Sequence, residues 1–166
     1  MSKFTKREHQ IFSDLKECFK ESGLPVKGET TLGNLMVIES EFHYPDYPIK
    51  ILIMLDPAED TVMFGIHYGA TLSAIRTVLY ELIDRINMYL CTTHFVVHPD
   101  TGQLTLNSGM FFTDDVINKK EFHLLLKQLL ADSYNYFPLI GMQLESDKTP
   151  AEMWEQFLIE NKDRIV

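Results

Sequence analysis

Two neighbouring segments with alternating apolar residues constrain the fold most strongly. Every second residue from Ile49 to Leu55 is aliphatic, and the alternation of apolar and aromatic residues resumes from Val62 to Tyr68. A period of two places these side chains on one face of a β-strand. The stretch between them, Asp56–Asp60, has the composition of a turn. The sequence therefore predicts an antiparallel strand pair, one face of which must be covered by other elements.

Segments with helical periodicity are expected to cover that face of the sheet. Thr149 and Glu152 have the spacing of a capping box and predict the start of the last helix. Pro138 and Gly141 are expected to bound a short apolar segment before it. The other three predicted helices run from about Thr5 to Ser22, Leu72 to Leu90 and Val116 to Ser133.

The remaining strands complete an antiparallel sheet. They are predicted at Leu35–Ile38, His94–His98 and Gln103–Asn107, the last two joined by a Pro-Asp-Thr-Gly turn. The order is α-β-β-β-α-β-β-α plus a C-terminal helix, which predicts the α+β class with helices on one face of the sheet. The 166 residues fit a single domain, with a core over about residues 5–140 and the last helix over about 149–163.

The sheet face away from the helices is predicted to be unusually apolar. Leucine, methionine and valine are interspersed there with lysine and histidine, whereas a solvated face would be mostly polar. The predicted members of this face are Lys50, Leu52, Met54, Met63, His67, His94, Val96 and His98. The candidate partner-binding residues are the apolar ones, namely Leu52, Met54, Met63 and Val96.

Composition and charge narrow the function classes. The formal net charge of −9 argues against nucleic acid and against anionic membrane surfaces as partners, since both require a basic footprint. No apolar run approaches the length of a membrane span, and the first residues lack the apolar core of a signal peptide. Cys18 lies in a predicted helix and Cys91 directly follows one; both are expected to be buried free thiols, with a single disulfide between them as the alternative. These features predict a soluble cytoplasmic protein.

No catalytic, cofactor or metal motif is present. His94 and His98 share a strand face but lie roughly 13 Å apart along it, too far to bind one metal ion. Activation of Cys91 by His94 requires an exposed thiol, which its apolar surroundings disfavour. Asn87 is expected to hydrogen-bond the chain where the next strand begins. We therefore expect no cofactor, no metal and no enzymatic activity.

Over residues 72–130 the sequence resembles a known family. The segments LYELIDRINMYL, THFVVHPDTGQLTLNSGMFF and NKKEFHLLLKQLL resemble those of the YbjN-like family of bacterial sensory transduction regulators, which has a type III secretion chaperone-like fold. The resemblance implies a homodimer in the bacterial cytosol, without catalytic residues, that binds a protein segment on an apolar surface. It transfers no individual site residue.

The favoured interpretation is a homodimeric module, chaperone-like or regulatory, that binds a segment of another protein. One alternative is a small-molecule sensor or an uncharacterised enzyme, which needs a polar-lined pocket between the helices and the sheet. The other is a structural oligomerisation module, which needs a large self-interface and no further partner.

Overall fold

The computed structural model describes residues 4–44, 47–71 and 76–162. Across these residues six strands form one antiparallel sheet in the order β1-β2-β3-β4-β6-β5. The strands are β1 Gly28–Leu32, β2 Leu35–Tyr44, β3 Tyr47–Asp56, β4 Thr61–Thr71, β5 His94–Val97 and β6 Gln103–Phe111. The helices are α1 Lys6–Glu21, α2 Arg76–Asn87, α3 Lys119–Leu144 and α4 Pro150–Glu160. The α+β class and its antiparallel sheet are confirmed.

The core lies between the sheet and the helices. The alternating residues of β3 and β4 that the sequence placed on one face, from Ile49 to Leu55 and from Val62 to Tyr68, are all buried. The apolar faces of α1, α2 and α3 pack against them, and Met153 and Trp154 of α4 join the same cluster. The period-two pattern therefore identified the inner face of the sheet correctly.

One strand has no counterpart in the sequence prediction. β1 has the sequence GETTL, its last four residues are exposed, and it pairs only with β2. The backbone N–H of Lys27 also donates to the carbonyl of Glu39, 2.8 Å away, which extends the pairing. Backbone hydrogen bonds to β2, rather than side-chain burial, hold this strand in the sheet. Its sequence therefore has no apolar pattern that would predict a strand.

The third helix is longer than predicted. It continues through Pro138 to Leu144, although it was predicted to end near Ser133 and to be followed by a separate short segment bounded by Pro138 and Gly141. A proline inside a helix costs ~3 kcal/mol because it removes one hydrogen bond and crowds the preceding turn. Beyond it, Leu139 and Ile140 are buried in the core, and each contributes ~1.5–3 kcal/mol. Tertiary burial offsets the local penalty, so the predicted separate segment is the second half of α3.

The two cysteines differ in their surroundings. Both are free; Cys18 is buried on α1, whereas Cys91 is exposed. The expected burial of Cys91 is wrong because α2 ends at Asn87 and the chain turns into solvent before β5. The predicted start of this helix, Leu72, lies outside the described residues.

Asn87 performs the role expected of it. Its side-chain Nδ2 donates to the Phe95 carbonyl at 3.0 Å, and its Oδ1 accepts from the Phe95 backbone N–H at 2.8 Å. The amide thus imitates a neighbouring strand and satisfies both backbone groups of Phe95. β5 is an edge strand of the sheet, so Asn87 occupies the outward backbone groups in the middle of that edge.

Candidate functional site

The sheet face away from the helices carries an apolar row across three strands. Val37 of β2 lies opposite Met54 of β3, and Met54 lies opposite Met63 of β4. Directly opposed residues on one face have Cβ atoms about 4.5–5.5 Å apart, so these three side chains are neighbours. The row continues to Gly109 of β6, where the absence of a side chain leaves the backbone open beside Met63.

Further apolar residues flank this row on both of its sides, Leu52 on one and Phe111 on the other. Leu52 lies two residues before Met54 on the same strand face. Phe111, two residues after Gly109, is 76% exposed and lies opposite Thr61. At the β1 edge of the sheet, on the same face, Leu32 of β1 pairs with Leu35 of β2. We call this surface the apolar band: Leu32, Leu35, Val37, Leu52, Met54, Met63 and Phe111.

The apolar band contains three of the four candidate partner-binding residues. Leu52, Met54 and Met63 lie together on it, as the strand alternation predicted. Val96 lies apart, on β5, where it is opposite Thr105. Asn107 and His94 stand between Val96 and the band on the same face. The structure therefore brings three candidates together and separates the fourth.

Four members of the band were not candidates in the sequence analysis. Leu35 and Val37 belong to a continuous apolar run, LMVI, in which no alternation identifies the outward residues. Phe111 follows the alternation of β6: its neighbours Met110 and Phe112 are buried, so the Phe111 side chain points to the opposite face of the sheet. Leu32 lies in the strand that the sequence did not reveal.

The other end of the same face is polar. Lys50 Nζ lies 2.9 Å from Glu39 Oε1, and this hydrogen bond raises the pKa of the Lys50 ammonium. His67 packs over Gly65, where an added Cβ would come within 3.3 Å of His67 Nε2. Partial burial, and secondarily the charge of Lys50, lower the pKa of His67. Both effects favour the neutral form of the His67 ring.

The two edges of the sheet differ in accessibility. At β5, Asn87 already occupies both backbone groups of Phe95. At β1, no strand within the described ranges pairs on the outer side. Glu29 of β1 is joined to α1 through Lys16, with 3.0 Å between carboxylate and ammonium. The β1 edge, adjoining the apolar band at Leu32, is thus the edge that can accept another strand.

A separate cavity of about 360 Å³ lies on the helical side. It is bounded by residues 89–92, which follow α2, and by the facing side of α3 from Leu124 to Tyr136. Asp132 lines it and is 5% exposed. Asp132 Oδ2 accepts from the Thr93 hydroxyl at 2.6 Å, and Oδ1 accepts from the Gln128 amide at 2.8 Å. Burial raises the pKa of Asp132, and these two hydrogen bonds oppose the shift.

Aromatic rings fix one wall of this cavity. Tyr89 and Tyr136 both line it, and both contact Trp154 of α4, with ring centroids 4.9 and 6.3 Å away. Trp154 in turn stacks on Phe157 at 5.4 Å. The two tyrosines are therefore held by a packed aromatic cluster.

Neither a metal cluster nor a membrane-spanning helix was found in the chain as described. No group of three or more His, Cys, Asp or Glu side chains within residues 4–44, 47–71 and 76–162 is placed to bind one metal ion. Over the same ranges no helix combines the length and apolar character needed to cross a bilayer.

Comparison with known proteins identifies the fold. The chain matches no protein-family model and no curated protein. A chain of the ExsC–ExsE complex matches with a TM-score of 0.51 and 14% identity, over 80% of this chain and 95% of that one. An uncharacterised protein from Methanothermobacter thermautotrophicus gives 0.52 and 18%, over 80% and 98%.

YbjN from E. coli gives a TM-score of 0.48 at 13% identity, over 73% of this chain and 84% of that one. The ExsC–ExsE and Methanothermobacter structures, with TM-scores of 0.51 and 0.52, show the fold. The predicted type III secretion chaperone-like fold is confirmed.

Proposed function

We propose that this protein is a non-enzymatic binding module, chaperone-like or regulatory, that acts as a homodimer in the bacterial cytoplasm and holds a segment of another protein. The observation that carries the proposal is the apolar band, a continuous apolar surface on the sheet face that no helix of the described chain covers. Within the band Leu32 and Phe111 are exposed and Val37 is buried, and the remaining members, Leu35, Leu52, Met54 and Met63, are half-buried. Apolar residues left accessible together on one face are typical of protein-interaction sites. The fold shared with a chain of the ExsC–ExsE complex, a complex of two proteins, supports the same reading.

The geometry of the sheet suggests how a segment would bind. Side chains at alternate positions of an extended segment, or one face of an amphipathic helix, can bury themselves against Met54 and Met63. An extended segment can also pair its backbone with β1, since that edge is open and adjoins the band. Methionine suits this role because its flexible thioether adapts to differently shaped partners.

Charge around the band favours basic flanking residues in the partner. Glu39 and Glu41 lie on the same face towards its polar end, and Asp56 lies at the opposite end beside Thr61. Lys50 is the neighbouring cation on that face and is already engaged by Glu39. Together with the net charge of −9, this arrangement attracts cationic segments during encounter.

Paired substitutions test the proposal. Met54→Glu with Met63→Glu places two carboxylates in the band, while Met142→Glu changes the same residue type at an exposed position on α3. The partner is first identified by affinity capture from the native lysate and its binding segment is mapped. Each buried methionine contributes ~1.5–3 kcal/mol, so the double variant should weaken binding at least about 100-fold. Met142→Glu should bind as the wild type does.

The oligomeric state separates this proposal from the structural alternative. Light scattering over a concentration series should give a dimer for the wild type and for the folded double variant. If the double variant becomes monomeric while wild-type protein captures no partner, the band is a self-interface and the oligomerisation alternative is correct. If the partner binds the double variant with unchanged affinity, the band is not the binding surface.

A further inference from the structure

Asp132 is a buried carboxylate whose two observed hydrogen-bond partners are both neutral. Its two observed partners, the Thr93 hydroxyl and the Gln128 amide, are neutral donors that an uncharged acceptor would satisfy equally well. None of the ion pairs formed by the described residues includes Asp132. A buried carboxylate without a cationic partner is costly, because burial removes it from water. None of the described contacts of Asp132 therefore uses a negative charge.

The carboxylate also keeps binding capacity. An ionised carboxylate has about four lone-pair sites on its two oxygens. Thr93 uses one on Oδ2 and Gln128 uses one on Oδ1, which leaves a further acceptor site on each oxygen. Asp132 lines the cavity of about 360 Å³, a volume within the range typical of small-ligand sites.

The other residues that line the cavity suit an organic cation that has an aliphatic stem. Tyr89 and Tyr136 line it and are fixed by their contacts with Trp154. Aromatic faces attract cations through their quadrupole. Leu124 and Leu125 add aliphatic surface on the α3 side. A carboxylate, aromatic rings and aliphatic walls in one cavity match a positively charged head on a short aliphatic stem.

We propose that this cavity binds an organic cation, an ammonium or guanidinium on an aliphatic stem, with Asp132 as the anion that recognises the charge. The cation comes either from a free amine or from a lysine or arginine side chain of another protein. The site lies on the helical side, away from the apolar band, so it stands or falls independently of the proposed function.

The first test compares ligands of matched shape on the full-length wild-type protein. n-Butylammonium, n-butylguanidinium and the neutral n-butanol are titrated at constant ionic strength, and backbone amide NMR shifts of Thr93 and Asp132 are followed. At least one of the two cations should bind saturably with 1:1 stoichiometry, and n-butanol should bind at least about tenfold more weakly. Equal binding of cation and alcohol, or no saturable shift with either cation, overturns the proposal.

The second test removes the charge. Asp132→Asn should weaken binding of the cation at least about tenfold, whereas Asp84→Asn, the same charge change at an exposed site on α2, should leave it unchanged. Undiminished binding to folded Asp132→Asn refutes the role of the carboxylate. If Asp132→Asn does not fold, the wild-type comparison of cation with alcohol still decides the question.

A third titration distinguishes the two sources of the cation. Acetylated and amidated Gly-Lys-Gly is compared with the same peptide carrying norleucine instead of lysine. Tighter binding of the lysine peptide than of n-butylammonium assigns the cavity to a side chain of a protein partner. Binding of n-butylammonium but not of the peptide assigns it to a free amine. The proposal fails if the norleucine peptide binds as well as the lysine peptide.

Discussion

Replacing Asn87 by alanine should destabilise the fold by an amount that its geometry allows us to estimate. The side-chain amide makes two hydrogen bonds to Phe95, of 2.8 and 3.0 Å. A typical intramolecular hydrogen bond contributes about 1 kcal/mol net, so the substitution should lower the free energy of unfolding by about 2 kcal/mol. For a chain of this length each 1 kcal/mol shifts the melting temperature by about 2–4 °C. The expected decrease is thus about 4–8 °C.

Two measurements check this estimate. Urea denaturation gives the free energy of unfolding for the wild type, Asn87→Ala and the control Asn135→Ala, in which an exposed asparagine within α3 is changed in the same way. The control should stay within about 0.5 kcal/mol of the wild type. Amide hydrogen exchange should accelerate at Phe95 in Asn87→Ala, since its N–H loses its acceptor. Equal stability of the two variants, with Phe95 still protected, refutes the idea that the Asn87 side chain closes the edge.

Two further predictions concern single residues. His67 should show a pKa below the ordinary value near 6.5 in an NMR titration, because burial, and then Lys50, disfavour its charged form. The folded-state pKa of His67 lies below its unfolded-state pKa of about 6.5. The stability contributed by neutral His67 is therefore fully present above the unfolded-state pKa and is lost as pH falls below it through the folded-state pKa. Relative to the wild type, His67→Gln should therefore show a shallower loss of stability on acidification, and an identical loss refutes this. Iodoacetamide should alkylate exposed Cys91 rapidly and buried Cys18 only after unfolding, because burial both shields the Cys18 thiol and raises its pKa. Mass spectrometry of tryptic peptides measures the order of alkylation, and equal rates at the two cysteines would contradict the prediction.

The parts of the fold that follow from local rules were predictable from the sequence. The alternation in β3 and β4 identified the inner face and, on the opposite face, placed Leu52, Met54 and Met63 together. Thr149 caps α4 as its spacing with Glu152 predicts: its Oγ1 accepts from the Glu152 backbone N–H at 3.3 Å, and its own N–H donates to the Glu152 carboxylate at 2.8 Å. In each case the signal lies within a few residues and depends on backbone geometry alone.

The parts that depend on tertiary contacts were not predictable in this way. β1 is held by pairing with β2 and has almost no apolar residues. α3 passes through Pro138 because residues beyond it are buried, which only the folded chain reveals. Asp132 reads in the sequence as an ordinary polar position of a helix, and only the approach of Thr93, 39 residues earlier, shows it to be a buried carboxylate.

The aromatic cluster around Trp154 has an optical consequence. Trp154 is the single tryptophan of the chain and is 5% exposed. Its fluorescence therefore reports on one place, the contact of α4 with Tyr89 in the segment between α2 and β5. Tyr89 also lines the Asp132 cavity, whereas the apolar band lies on the far side of the sheet. Trp154 emission thus monitors the helical side alone, so occupancy of the Asp132 cavity can be followed separately from binding at the apolar band.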